Sequence, residues 1–416
     1  MRIVRLINLY PPYIVGGYEM LTRDIVQELT ARGHDVHVLT ARGRQFDGRA
    51  HIHQVFNYDL EDKNALFRGG RKLTPSEQFS HHVFDLSTYR GVRRIVRDLH
   101  PDLIIADNLY MASVAPLVAV RDAPCPVLAQ VADKWLVYQL RDWGLVLGPQ
   151  IGPRRAAVNA VRVLVQRPLA RRVRLDGIIT VSDFIRSVYI DAGFPPEKLE
   201  TAYLGVDTRA LTPREPYFLH DPVRLVFAGG LWEGKGPQVI VAALRLLGQM
   251  SGMPQFHLDV YGEGDKSFKQ YLSSLIREAG VEDRVTFRGF VEVDALIKAL
   301  AEMDIFVFPS IWDEPFAIMP LLALGCGLPL VAARAGGTPE GFVDGETALL
   351  IAPNDPQTMA DAIARLVRDE TLRHKLRENG IRDVHARWDF GAYVDRLEDF
   401  YRRLIERSGA RVGAHR

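Results

Sequence analysis

This chain of 416 residues predicts an α/β protein made of two doubly wound halves. Short apolar runs alternate along it with longer segments of helical period, the pattern of a parallel sheet with helices on both faces. The alternation restarts at Val223, and the stretch before it, Thr208–Pro222, carries three prolines and little periodicity, as a linker does. The predicted organisation is a first domain over residues 1–207, a linker over 208–222, a second domain over 223–388 and a last helix over 389–407.

In the first half the predicted strands are Ile3–Leu9, Asp35–Thr40, Leu103–Ala106, Val127–Val131 and Gly177–Val181, with a helix over Tyr18–Arg32. The pattern weakens between Arg42 and Gly91, apart from a strand near Ile52–Phe56. The second half opens with the strand Val223–Ala228 and a helix from Gly236 that buries Val239, Ile240, Ala243, Leu244 and Leu247. Strands follow near His257–Tyr261, Val285–Phe287, Ile305–Phe308 and Leu328–Ala332. In the last segment Val394, Leu397, Phe400, Tyr401 and Leu404 share one helical face, so this helix must pack on something already built.

Composition narrows the function. With 52 basic and 51 acidic residues the net charge is +1, without the basic excess that binding a nucleic-acid backbone needs, so a small-molecule partner is expected. Cys125 and Cys326 lie far apart and without metal-ligand spacing, which predicts neither a disulfide framework nor a zinc site and suits a reducing compartment. The chain opens directly into RIVRLINLY, and no apolar run approaches the ~20 residues of a membrane-spanning helix. A cytoplasmic enzyme is the expectation.

Several turns bear on chemistry. Gly16 and Gly17 stand at the end of the first strand, immediately before a helix, where glycine lets a backbone approach a ligand; the ordinary alternative is a tight turn. Their spacing is not that of the three-glycine dinucleotide fingerprint. In the second half FAGGLWEGKGP follows a strand and opens a helix, offering the amides of Gly229 and Gly230 and the cation Lys235, which suits a diphosphate. The stretch Phe306–Gly337 reads as strand, loop, helix, strand and Gly-Gly turn, with Glu314 facing the loop and the helix-start amides of Phe316, Ala317 and Ile318 available to a sugar and its phosphates. The segment PRRAAVNAVRVLVQRPLARRVR, within 153–174, sets seven arginines among valines and leucines. Its two readings are a core-packed helix with a basic solvent face and a helix lying on an anionic membrane.

These motifs, in this order, resemble glycosyltransferase family 4, the retaining group 1 glycosyltransferases. The resemblance covers nearly the whole chain: GGYE before a helix and RGHDVHVLT, then ITVSDFIRSVYIDAGFPPEKLETAYLGVD, YGEGD, FRGFVEVDAL and GGTPEGFVDGETALLIAPND. It implies the GT-B architecture, two Rossmann-like domains facing across a cleft, with the last helix crossing back to the N-terminal domain. It also implies metal-independent transfer of a sugar from a nucleotide donor, held by the second domain, to an acceptor met by the first. In that family Glu314 contacts the transferred sugar, Lys235 neutralises the leaving diphosphate, and Gly262 and Gly264 belong to a donor-side loop. The weakly patterned region 42–91 borders the acceptor. Leu204 replaces a usual asparagine of the family pattern, and three further departures fall at positions that touch the donor. Gly230 stands where an arginine is usual, Leu322 where a second glutamate accepts from the ribose, and Ala132 where a histidine orients the sugar. Asp133 remains, either as an acceptor contact or general base or as the cap of the helix carrying Trp135, and Arg334 is a substitute cation or a surface arginine. The departures leave two further readings open: a silent relative that binds a sugar, nucleotide or partner without turnover, and a sugar-nucleotide epimerase.

Overall fold

The computed structural model describes residues 1–14, 16–46, 48–59, 84–110, 112–141, 164 and 166–413. They form two compact units, Met1–Val181 with Ile185–Ala202 and Val394–Arg416, and Ser182–Phe184 with Tyr203–Tyr393. Most of the weakly patterned region, residues 60–83, lies outside the described residues, as do residues 153–163 and 165 of the arginine-rich segment.

The first unit is built on β1 (Arg2–Leu6), β2 (Asp35–Arg42), β3 (Ile52–Asp59), β4 (Leu103–Ala106), β5 (Val127–Val131), β6 (Gly177–Thr180) and β7 (Leu199–Thr201). These pair in parallel in the order β3-β2-β1-β4-β5-β6-β7. A parallel sheet covered on both faces needs near-continuous apolar strands, and β4 and β5 are buried along their whole length. The exception in β1 is Arg5, wholly buried and paired with Asp107.

The second unit carries β8 (Val223–Ala228), β9 (Phe256–Tyr261), β10 (Val285–Gly289), β11 (Ile305–Phe308), β12 (Leu330–Ala333) and β13 (Leu349–Ile351). Their order is β10-β9-β8-β11-β12-β13, again parallel throughout. The helix Pro237–Leu247 buries Val239, Ile240, Ala243, Leu244 and Leu247 against this sheet, the face that its periodicity predicts. Each sheet has one point at which the strand order reverses, between β1 and β4 in the first and between β8 and β11 in the second. Loops at the carboxyl ends of strands diverge at such a point and leave a crevice for a ligand.

The last helix, Phe390–Gly413, returns to the first unit, as expected. Val394, Leu397 and Tyr401 are fully buried, Phe400 and Leu404 nearly so, and the Phe400 ring lies where a side chain at Gly177 of β6 would stand. Glu398 fixes the helix by accepting from Arg32 at 2.6 Å and His34 at 2.5 Å. Burial alone would raise the Glu398 pKa, but these two donors outweigh it and hold the carboxyl below its ordinary value. A depressed carboxyl stabilises the fold above the unfolded-state value of ~4.3, and that contribution is lost as pH falls through the folded value. Glu398→Gln is therefore expected to lower stability by about 1.5–3 kcal/mol near neutral pH. Melting curves of the two proteins should converge as the medium is acidified below pH ~4, and a gap that persists unchanged in acid would refute this role.

Candidate active site

In the second unit the two loops at the strand-order reversal are tied to each other. After β8 the backbone runs through Gly229, Gly230 and Leu231 into a short turn over Glu233–Lys235. After β11 it passes Ser310 and Trp312 to Glu314. The Gly234 carbonyl accepts from the amides of both Ile311 and Trp312 at 2.9 Å, so neither loop is free to swing separately. Gly236, with φ of 73°, closes the turn, and a Cβ there would stand 2.1 Å from the Pro309 carbonyl oxygen. Only glycine fits both constraints.

This lacing brings Lys235 and Glu314 together. The Lys235 Nζ donates to both carboxylate oxygens of Glu314, at 2.7 and 2.9 Å, and Ser310 Oγ donates to Oε1 at 2.6 Å. Glu314 is 4% exposed, while the lysine side chain retains 25% of its surface. A nearly buried carboxylate is sustained by its cation and its hydroxyl donor. The Glu314 backbone is pinned as well: its carbonyl accepts from the Gly337 amide at 2.7 Å, and a Cβ on Gly336 would stand 2.4 Å from that same oxygen. The Gly-Gly turn after β12 is thus required by close packing on the glutamate.

The β9 loop completes the wall. Gly229 N–H donates to the Tyr261 carbonyl at 3.0 Å and Leu231 N–H to that of Glu263 at 2.8 Å. A Cβ on Gly262 would stand 1.8 Å from the Gly229 oxygen, and one on Gly264 1.9 Å from that of Leu231. Gly230 differs from these: it is exposed, its φ is not positive, and a Cβ would meet nothing closer than the Trp232 ring at 3.6 Å. The helix Ile318–Gly325 starts beside the carboxylate, with Ala317 as its cap residue. The Phe316 side chain turns inward and packs on Tyr203 and Trp388, with ring centroids 5.5 and 5.3 Å away. Leu322 is 5% exposed on a helix whose central residues are all buried. Arg334 pairs with Asp344 at 2.6 Å, both exposed.

Two tryptophans on these loops did not emerge from the sequence reading. Trp232 and Trp312 are 43% and 42% exposed and meet edge to face at 5.6 Å. Large aromatic surface held open beside a charged pair offers a stacking platform to a ring-shaped ligand. The signal was one tryptophan in each of two loops that follow strands.

In the first unit, Gly16 and Gly17 open the helix Gly17–Ala31 at the carboxyl end of β1. Glu19 accepts from the Gly16 amide at 2.8 Å. A Cβ on Gly17 would meet nothing within 4 Å, so the fold by itself does not require glycine there. Ala132 and Asp133 follow β5, and the Tyr18 hydroxyl donates to the Gln130 carbonyl, joining the two segments at one sheet edge. Asp133 accepts from the Trp135 amide at 2.7 Å, an Asx turn ahead of the helix Trp135–Leu140, whose cap residue is Lys134. Burial pushes its carboxyl above the ordinary range, against the pull of that amide, in the direction that suits a proton acceptor.

Comparison with known proteins bears on both units. The family model for glycosyltransferase family 4 matches residues 15–210, and that for glycosyl transferases group 1 matches residues 212–383. A D-inositol 3-phosphate glycosyltransferase of Paenarthrobacter aurescens is 32% identical over 189 residues, 43% of this chain and 46% of its own length. The chain spans about half the length of the curated relatives it matches. Among solved structures, sucrose-phosphate synthase from Thermosynechococcus elongatus superposes with a TM-score of 0.73 at 19% identity, over 98% of this chain and 100% of that one. HepE of Anabaena, solved in complex with UDP, gives 0.67 at 21% identity over 96% and 99%. At such identities the likeness is one of fold.

Proposed function

Because this chain belongs to glycosyltransferase family 4 and has the GT-B fold, we propose that it moves a sugar from a nucleotide-diphosphate donor to an acceptor hydroxyl, retaining the anomeric configuration and needing no metal ion. The observation that carries this is the Lys235–Glu314 pair at the strand-order reversal, walled by glycine turns and the start of a helix. Donor binding exchanges partners. Lys235 leaves the carboxylate for the diphosphate, and Glu314 accepts from hydroxyls of the sugar. The acceptor oxygen then bonds to the anomeric carbon as the bond to the phosphate oxygen breaks, and its proton passes to the leaving phosphate on the same face. Gly229, Gly230, Gly262 and Gly264 leave room for the donor, the amides of Phe316, Ala317 and Ile318 face its oxygens, and Leu322 lies at the ribose. Gly16, Gly17, Ala132 and Asp133 meet the acceptor, with Asp133 as the nearest base. A uridine nucleotide is the first donor to try, since HepE was solved with UDP.

A second reading, a silent relative that binds without turnover, is favoured by one set of residues: Gly230, Leu322 and Ala132 all replace groups that would touch the donor. The conformation of Gly230 decides between the readings experimentally, because an arginine enters there without backbone strain. Gly230→Arg is expected to tighten nucleotide diphosphate binding about tenfold, as one added charged hydrogen bond would. Leu322→Glu should tighten it further at some loss of stability, because it places a carboxylate on a buried helix face. Isothermal titration measures both, and weaker binding in each variant would mean that this chain holds its donor another way. An epimerase would release an altered nucleotide sugar without acceptor, which product analysis detects.

We place the protein in the cytoplasm, at the inner face of the membrane. Among the described residues no helix is long and apolar enough to cross a bilayer, and the contact proposed is a peripheral one. Supporting it, a cavity of about 580 Å³ in the first unit has an apolar floor that includes Leu175, Ile178 and Phe194, and Arg141, Arg167, Arg171 and Lys198 around it. Such a combination suits anionic lipid. Sedimentation with phosphatidylglycerol vesicles should show binding that Arg167→Glu with Arg171→Glu abolishes, and no sedimentation of the wild type would refute the contact.

A further inference from the structure

At the amino-terminal end of β2, away from the strand ends that bear Gly16 and Gly17, a second cluster of chemically active side chains stands apart from the reaction proposed above. The strand begins Asp35-Val36-His37, and the chain entering its neighbour β3 reads His51-Ile52-His53. Because side chains alternate along a strand, each of these pairs shares a face, and the parallel register of β2 with β3 sets the two pairs side by side. His37 Nε2 lies 3.1 Å from Asp35 Oδ1, and His51 Nδ1 lies 3.7 Å from the same oxygen. These three atoms all fall within 4.8 Å of one another. The rings of His51 and His53 flank that of His37, with centroids at 4.8 and 5.2 Å.

We infer that Asp35, His37 and His51 form a binding site for a divalent transition-metal ion of the Zn²⁺ class, with His53 as its orienting residue. A tetrahedral Zn²⁺ with bonds of ~2.0–2.1 Å holds its ligand atoms about 3.4 Å apart, so the atoms need to shift by tenths of an ångström to about one ångström. Two imidazoles and one carboxylate are a zinc-type donor set, distinct from the all-oxygen sites of Mg²⁺ and Ca²⁺. The outer contacts agree. His37 Nδ1 lies 3.0 Å from His53 Nε2, so that when a metal replaces the proton that His37 Nε2 directs at Asp35, Nδ1–H has an acceptor in His53. The other carboxylate oxygen, Asp35 Oδ2, is held by Arg2 Nε at 2.6 Å, which aims Oδ1 at the histidines. His51 is exposed, so the fourth position opens to water, and the ion ties β2 to the start of β3.

The test uses the untagged full chain, freed of metal with a chelator and titrated with ZnCl₂ by calorimetry, with Co²⁺ absorption as a second readout. The expected result is one equivalent bound with micromolar affinity or better, with the tetrahedral absorption of Co²⁺ and a raised melting temperature, and with no response to Mg²⁺. His51→Ala changes an exposed side chain, so the fold is retained, and it should abolish this site; His53→Gln should weaken it by about 10–100-fold. Absence of a stoichiometric site, or binding that His51→Ala leaves unchanged, would overturn the inference and reduce the cluster to hydrogen-bonded histidines.

Discussion

Replacing Lys235 with methionine is expected to lower turnover by about 10²–10³-fold, the usual cost of removing one preorganised donor from developing negative charge. The same substitution has a structural consequence that separates two roles. Glu314 is 4% exposed and, among the described residues, would keep Ser310 as its one side-chain donor, so its charged form becomes costly and stability falls. Adding Glu314→Gln removes the orphaned charge. The double variant should therefore recover much of the lost stability while staying as inactive as the single one. Steady-state kinetics beside urea unfolding reads both quantities. Recovery of activity along with stability would show that the pair serves the fold rather than the chemistry.

The second large effect is expected far from the donor loops. Arg5 donates to Asp107 through Nε at 2.9 Å and Nη2 at 2.6 Å, and to Gln130 at 3.1 Å, with both partners of the ion pair fully buried. Burial works against the guanidinium charge, but the facing carboxylate outweighs it, so its pKa stays above the ordinary arginine value. Tyr401 of the last helix donates to the same Gln130 side chain at 3.4 Å, which joins that helix to the network. Breaking a buried pair by removing one partner typically costs about 3–5 kcal/mol, whereas replacing both by apolar groups of similar size costs little or nothing. Arg5→Met and Asp107→Leu should each destabilise the first unit by that amount, and their combination should restore most of it. If either single variant unfolded at the wild-type urea concentration, the network would be dispensable.

The elements were largely legible in the sequence because each carries its own period. The buried face Val394, Leu397, Phe400, Tyr401 and Leu404 follows from helical spacing alone, and β4, β5 and β8 follow from apolar runs. What was hidden depends on distance along the chain. Lys235 and Glu314 stand 79 residues apart, and no local pattern says that a cation and a carboxylate in separate loops will bind each other. Their pairing arises from the order of β8 and β11 in the sheet. Arg5 is a lone basic residue within the apolar run Ile3–Leu9, and its partner Asp107 lies 102 residues away. The histidine cluster escaped for a related reason: the rest of β2 and the connection to β3 separate its two short pairs, and only the register sets them together. Glycines behaved in two ways. Gly236, Gly262, Gly264 and Gly336 are demanded by close backbone contacts, whereas a side chain would meet nothing at Gly17 and only ordinary contact with Trp232 at Gly230.

The measurement that tests the central claim most directly is binding of the purified protein to UDP, GDP, ADP and TDP sugars, with Glu314→Ala alongside. The account predicts that one nucleotide sugar binds and is slowly hydrolysed, and that affinity for it falls at least tenfold in Glu314→Ala, the loss of a hydrogen bond to a charged group. No binding and no hydrolysis across the panel would contradict it and leave the chain as a silent relative.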